Sequence, residues 1–210
     1  MMPNNIENRF IETDEIEIRS SEGESDQKYV SGIGVVYNRE VEIWDGYKES
    51  IRSGAFECAL SSGKEIKSFF NHRADFVLST TKSEPKLEIE DTDKGLRFKS
   101  PIPPTSYGED LKINLERKNV RGASFSFSVP EDGDIVTRDE KGVYHRGIIK
   151  ADIYEVGPVT NPAYPQTKVG LRSKDDVFKE MEERCKKKKK EPISDINIKK
   201  IRLQLIERSI

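Results

Sequence analysis

Short runs of alternating apolar and polar residues, each closed by Gly, Pro, Asp or Ser, recur from Glu15 to Val159. Side chains of an extended chain alternate between two faces, so such runs are half-buried strands that must find sheet partners. Eight are expected: Glu15–Arg19 as an edge strand, Tyr29–Tyr37, Ile66–Asn71, Phe76–Ser79, Lys86–Glu90, Gly95–Lys99, Val120–Val129, and Val143–Val159 as one long or two broken strands. Asp91–Lys94 turns one pair into a hairpin, Glu131–Asp134 is a second turn, and Ser20–Gln27 is a loop. Asn161-Pro162 and Tyr164-Pro165 end the pattern. Two short helices interrupt it, one over Ser53–Leu60 capped by Ser53, and one after a Ser106/Glu109 capping box with Leu111 and Leu115 on one side. Turn spacing of this kind predicts a mainly β fold with a closed or nearly closed sheet.

The chain has 210 residues, of which 34% are hydrophobic and 35% charged. That is polar for a packed protein and implies that part of the chain does not pack. Residues 1–12 read as a loose leader, 13–172 as one domain, and 173–210 as a charged, partly helical tail. Within the tail, Val177–Lys190 is a charged helix and Ile196–Ile206 a short amphipathic one with Ile198, Ile201 and Leu205 on its apolar side. Net charge is −2, which gives the whole molecule no bias toward nucleic acid. The lysine run Lys186–Lys190 lacks interleaved aromatic residues and reads as a solvated segment. Cys58 and Cys185 fall in different regions, so neither a disulfide nor a zinc site is expected, and a reducing cytosol fits. No apolar run spans a membrane, and Met1–Asn5 lack the basic start of a signal peptide. No metal or cofactor is expected.

The chemistry centres on a few side chains. A hydroxyl is a weak nucleophile until a base takes its proton, and imidazole is the side chain suited to that near neutral pH. The chain has two histidines. His72 ends the run Ile66–Asn71, and His145 lies in Val143–Arg146 as a competing base. In Gly122–Val129, Ala123, Phe125, Phe127 and Val129 share an apolar face, while Ser124, Ser126 and Ser128 share the other, which by itself reads as a face toward solvent. A base also needs an acid to orient it. Ile149, Ala151, Ile153 and Glu155 have one parity, so a regular strand points Glu155 to the apolar side, where a carboxylate requires a bonded partner. That favours Glu155 over Asp152. The opposing reading is a bulge or strand end that releases Glu155 to water. No Gly-x-Ser-x-Gly elbow, His-Glu-x-x-His pair or Gly-rich phosphate loop is present.

Taken in order, Ser53-Gly54-Ala55-Phe56, Phe70-Asn71-His72, Asp93-Lys94-Gly95-Leu96, Gly122–Phe127, Arg146-Gly147-Ile148 and Glu155-Val156 through Pro162–Thr167 resemble the prohead maturation proteases of tailed bacteriophages. The resemblance runs over residues 12 to 172. It implies a serine endopeptidase with the fold of the herpesvirus assembly proteases, a small β-barrel surrounded by short helices, with His72 as base, Ser124 as nucleophile and Glu155 as the third member. In the herpesvirus relatives the third position is a histidine on a late strand, which keeps His145 in contention. Ser126 stands where the family usually has glycine and is a rival nucleophile, and Gly157 replaces a usual serine. The implied partners are the major capsid protein and scaffold as substrates, the enzyme itself by autoproteolysis, and a homodimer partner. The implied place of action is the procapsid assembling in the bacterial host cytoplasm. The competing expectations are a non-catalytic capsid-assembly protein that retains the barrel and uses the tail as a docking helix, and a lysine-tail binder of nucleic acid or acidic capsid surface.

Overall fold

A strand with one apolar face is stable only when that face is covered, and in this chain three sheets cover one another. The computed structural model describes residues 6–12, 16–20, 27–160 and 174–190. The chain divides into two units, residues 1–172 and residues 173–210. In the first unit a five-stranded sheet has the order β1 (Glu7–Glu12), β10 (Gly122–Ser128), β13 (Asp152–Val159), β6 (Lys67–Phe69), β7 (Val77–Thr80). A four-stranded sheet has the order β11 (Asp134–Arg138), β12 (Tyr144–Ile148), β5 (Tyr47–Ile51), β4 (Val41–Trp44). A second four-stranded sheet has the order β2 (Glu17–Ser20), β3 (Lys28–Val36), β9 (Gly95–Pro101), β8 (Glu88–Thr92). The mainly β expectation holds, but among the described residues the three sheets stay open and do not join into a closed barrel.

Two helices flank the sheets. α1 (Glu57–Ser61) starts after Phe56, which occupies the cap position without a side-chain bond, so Ser53 is not its cap. Phe56 packs edge-on against Phe125 and Phe127 with centroids 6.3 and 6.5 Å away. Those two rings stack on each other at 5.2 Å. All three are at most 1% exposed and anchor the core, each stabilising the fold by roughly 1.5–3 kcal/mol through burial. α2 (Ser106–Glu116) is capped one residue earlier than expected: the Thr105 hydroxyl accepts from the Gly108 amide. A threonine at this position satisfies one of the amides that the first turn leaves free.

Two expectations are corrected by strand pairing. Residues 7–12, read as part of a loose leader, form β1 and pair antiparallel with β10, Phe10 opposite Ser124. Residues 41–51 and 134–138, for which no strand was expected, form the β4–β5 hairpin around Asp45-Gly46 and the strand β11. The long run to Val159 is the broken alternative, β12 and β13 separated by Ile149–Ala151. In the second unit α3 (Lys174–Lys190) carries Asp175 and Asp176 in its first turn, where acidic side chains suit the helix dipole. Lys186 bridges Glu182 at 2.8 Å one turn away. The amphipathic stretch Ile196–Ile206 and the Asn161–Pro165 stop lie outside the described residues.

The charge on β1 explains why it could be mistaken for a leader. Arg9 is 5% exposed and donates to both Glu49 oxygens, at 2.7 and 2.8 Å, and to Glu7 at 2.7 Å. Arg146 reaches Glu7 at 2.8 and 3.0 Å, Glu49 at 3.0 Å and Asp134 at 2.6 Å. The Tyr47 hydroxyl adds a bond to Glu49 at 2.9 Å. Arginine's fork allows each guanidinium to serve several carboxylates at once, so charges on β1, β5, β11 and β12 are taken out of water together. Burial alone pushes the Glu49 carboxyl up; Arg9 and Arg146 oppose it, and the outcome lies below the ordinary glutamate value.

Removing one member of such a network leaves the others buried and unpaired. Glu49→Gln is therefore expected to lower unfolding free energy by about 3–5 kcal/mol, read as a lower urea midpoint. Glu49's folded value is depressed, so its stabilisation is complete above the unfolded value of about 4.3 and is lost as pH falls through the folded one. An acid titration of stability should accordingly be shallower in Glu49→Gln than in the parent chain.

Candidate active site

The serine face of β10 does not look into water. Every residue from Gly122 to Ser128 is buried, with Ser124 3% and Ser126 7% exposed. β1 covers one edge of the strand and β13 the other. What lies on that face is decided by an irregularity in β13. Ser126 pairs with Glu155, but the next pair is Phe127 with Ile153, so β13 carries one extra residue there. A bulge shifts side-chain parity by one. Ile153 stays with the apolar face beside Phe127, and Glu155 turns to the face of the serines. The bulge is the alternative weighed against a regular strand, yet it delivers Glu155 to a buried polar pocket and not to solvent: the residue is 8% exposed.

His72 reaches the same place from β6, which runs parallel to β13. The chain leaves β6 through Phe70 and two successive left-handed residues, Asn71 and His72, each with φ near 56°. That conformation is uncommon without glycine and is held only when surroundings fix it. Asn71 provides the fixation. Its amide donates to the Pro158 carbonyl at 3.1 Å, and its side-chain oxygen accepts from the Thr160 amide at 2.9 Å and hydroxyl at 3.2 Å. The turn is thus tied to the end of β13, the strand that carries Glu155. Asn71 was part of the motif but had no role assigned from sequence.

Gly157 completes the approach. It sits opposite Ser124 across the β10–β13 pair, and a Cβ there would lie 2.2 Å from the Phe69 carbonyl oxygen. Only a residue without a side chain lets β6 come this close to β13.

The three side chains meet in a row. His72 Nδ1 lies 2.9 Å from Glu155 Oε1, and His72 Nε2 is hydrogen-bonded to Ser124 Oγ. The imidazole is 31% exposed and the Glu155 side chain 11%, so the ring faces outward over a buried acid. The Ser124 hydroxyl also lies 2.9 Å from the Arg9 carbonyl, giving its proton a second acceptor. A carbonyl can hold that proton but cannot remove it, so imidazole is the base within reach.

The competing residues are placed elsewhere. His145 is on β12 in another sheet, its ring nitrogens 2.7 Å from Glu40 and 3.3 Å from Asp139. Those bonds, Glu40 first, raise its pKa above the ordinary histidine value. Asp152 accepts from Lys64 at 3.3 Å. The Ser126 hydroxyl lies 3.0 Å from Glu155 Oε2 and 2.7 Å from Asn8 Oδ1, while Ser124 is the serine bonded to His72 Nε2. A separate cavity lined by Val35, Ile43, Ile51 and Phe125 includes none of His72, Ser124 and Glu155. Among the described residues no group of three or more His, Cys, Asp and Glu could hold a metal ion, and no helix is long and apolar enough to cross a membrane.

Comparison with known proteins gives one family. Residues 14–184 match the family model of the caudovirus prohead serine proteases. No curated protein matches the chain in sequence. Among solved structures, the capsid assembly protease of bacteriophage T4 is similar, with 12% identity and a TM-score of 0.48, covering 75% of this chain and 100% of that one.

The close approach at Gly157 is testable without an activity assay. Gly157→Ala should lower stability by about 1–3 kcal/mol, as overpacking does. It should also speed amide exchange at Asn71 and Thr160, because β6 and its turn must move off β13. Unchanged exchange protection at those two amides would mean that the strands tolerate a side chain there.

Proposed function

This chain belongs to the family of caudovirus prohead serine proteases, and from that premise we propose that it is a serine endopeptidase with Ser124 as nucleophile, His72 as general base and acid, and Glu155 as the orienting carboxylate. The observation that carries the reading is the unbroken row of bonds from Glu155 Oε1 through both ring nitrogens of His72 to Ser124 Oγ. One side chain from each of three elements, β10, β13 and the turn after β6, converges there. With Nδ1–H directed at Glu155, the lone pair of Nε2 faces the serine hydroxyl, which is the tautomer a base requires.

In the proposed reaction His72 Nε2 takes the Ser124 proton as Oγ bonds to the scissile carbonyl carbon. The imidazolium that forms is stabilised by Glu155. When the tetrahedral intermediate collapses, the C–N bond breaks and the proton passes from His72 to the departing amine, leaving an acyl-serine. Water then attacks the ester with His72 again as base, and the carboxylic acid product and free Ser124 are released.

The proposed substrates are scaffold and the scaffold-like segment of the major capsid protein, and the enzyme itself, inside the assembling procapsid of a phage in its bacterial host. Residues 13–172 together with β1 form the proposed protease domain, with 173–210 a charged tail outside the catalytic unit. A homodimer is part of the proposal through the herpesvirus relatives.

Co-expression with the capsid protein and scaffold of the same phage, followed by mass analysis, tests both chemistry and substrate. The parent chain should give discrete cleavage products and Ser124→Ala none. Glu155→Gln should keep the fold but lower kcat by about 10³–10⁴-fold, as expected when the imidazole loses its orienting charge. Intact products throughout, with capsids unaffected by His72→Ala, would instead identify a non-catalytic assembly protein.

A further inference from the structure

The triad leaves one oxygen of Glu155 to be explained. Oε1 is taken by His72, and Oε2 faces the Ser126 hydroxyl at 3.0 Å. The same hydroxyl lies 2.7 Å from Asn8 Oδ1 on β1. A serine hydroxyl has one proton, and here it meets two acceptor oxygens, the half-buried Asn8 Oδ1 and the buried Glu155 Oε2, so it can serve only one of them. In a site where Glu155 and Ser126 are 8% and 7% exposed, an unserved acceptor is costly. The two ends of an asparagine amide have the same shape, and rotating that group by half a turn replaces the oxygen with an NH₂ donor in the same position.

We propose that Ser126 and Asn8 are positioning residues for Glu155: the Asn8 amide donates to Ser126 Oγ, and the Ser126 hydroxyl donates to Glu155 Oε2, leaving Oε1 for the His72 ring. Each oxygen of the Glu155 carboxylate then has a donor, and the Ser126 hydroxyl both donates and accepts. The effect is mechanical. The terminal torsion of a glutamate is broad and roughly twofold, so one bond to one oxygen leaves the carboxylate able to swing. Bonds to both oxygens, one from the turn after β6 and one from β10 on the other side of it, hold its plane and with it the tilt of the imidazole over Ser124. Ser126 is thus no second nucleophile. Asn8 brings the strand nearest the N-terminus into the machinery, 118 residues from the serine it holds.

The proposal rests on the serine-protease reading above, and the variants separate the two. Cleavage of purified capsid protein by the full chain is followed for kcat and KM, with urea midpoints measured in parallel. Ser126→Ala should lower kcat about ten- to a hundredfold with KM and the unfolding midpoint little changed, the loss expected of slight misplacement. Ser126→Thr, which keeps the hydroxyl, should restore most of it. Asn8→Asp is decisive even where the threonine variant folds poorly. It keeps the shape but offers only acceptors, so it should lose about as much as Ser126→Ala, and the double variant should be no worse than either. A parental kcat in Ser126→Ala or in Asn8→Asp, or an effect confined to KM, overturns the proposal. If Ser124→Ala remains active, the serine-protease reading itself fails; if Ser124→Ala is dead and Ser126→Ala normal, only the positioning role does.

Discussion

A carboxylate that is buried must be given donors, and the arrangement around Glu155 follows from that requirement. The extra residue in β13 turns this side chain away from the aromatic core of Phe56, Phe125 and Phe127 and into the space between β10, β13 and the turn after β6. Once there, it is met by His72 from one side and Ser126 from the other. Without the bulge, Glu155 would share a face with Ile153, its charge would face phenyl rings, and His72 would have no acid to lean on.

A second constraint is set at the opposite edge of the sheet. β1 is rich in charge, and it can close over β10 because Glu49 and Glu7 pair with Arg9 while Arg146 serves the same two carboxylates. That closure buries Ser124, supplies the Arg9 carbonyl next to its hydroxyl and places Asn8 against Ser126. The ion network and the candidate site therefore lie on opposite faces of one strand pair: Arg9 and Phe127 touch on the core side, at 5.3 Å, while Phe10 and Ser124 are paired on the other.

Much of this was legible in the residues, and what was not has a physical reason. Alternation in Tyr29–Tyr37, Gly95–Lys99 and Val120–Val129 located strands because period two follows directly from extended geometry. The faces of β10 were assigned correctly, but their environment was not, since alternation says which side chains share a face and nothing about what covers it. β1 was misread because buried charge looks like solvent-exposed charge until its partners, 40 and 139 positions away, are known. Parity arguments placed Glu155 with Ile153 because a bulge leaves no mark in local composition. The β4–β5 hairpin had a visible signal in Asp45-Gly46 between alternating residues, a dipeptide that favours tight reversals. His72, Ser124 and Glu155 were found through ordered motifs, and the structure joins those three while holding His145 and Asp152 to other partners.

The pairing of β1 with β10 also bears on when activity can arise. The hydroxyl of residue 124 touches the backbone of residue 9, 115 positions earlier, and the carboxylate bonded to the ring of residue 72 lies 83 positions beyond it. Contacts of such span form late, because the intervening loop must close before they can repay it. A ribosome that has delivered His72 and Ser124 has still not delivered β13, the strand that carries Glu155. The row from residue 155 to residue 124 therefore closes only after the sheet is finished, and no portion of the chain that stops short of residue 155 can contain it.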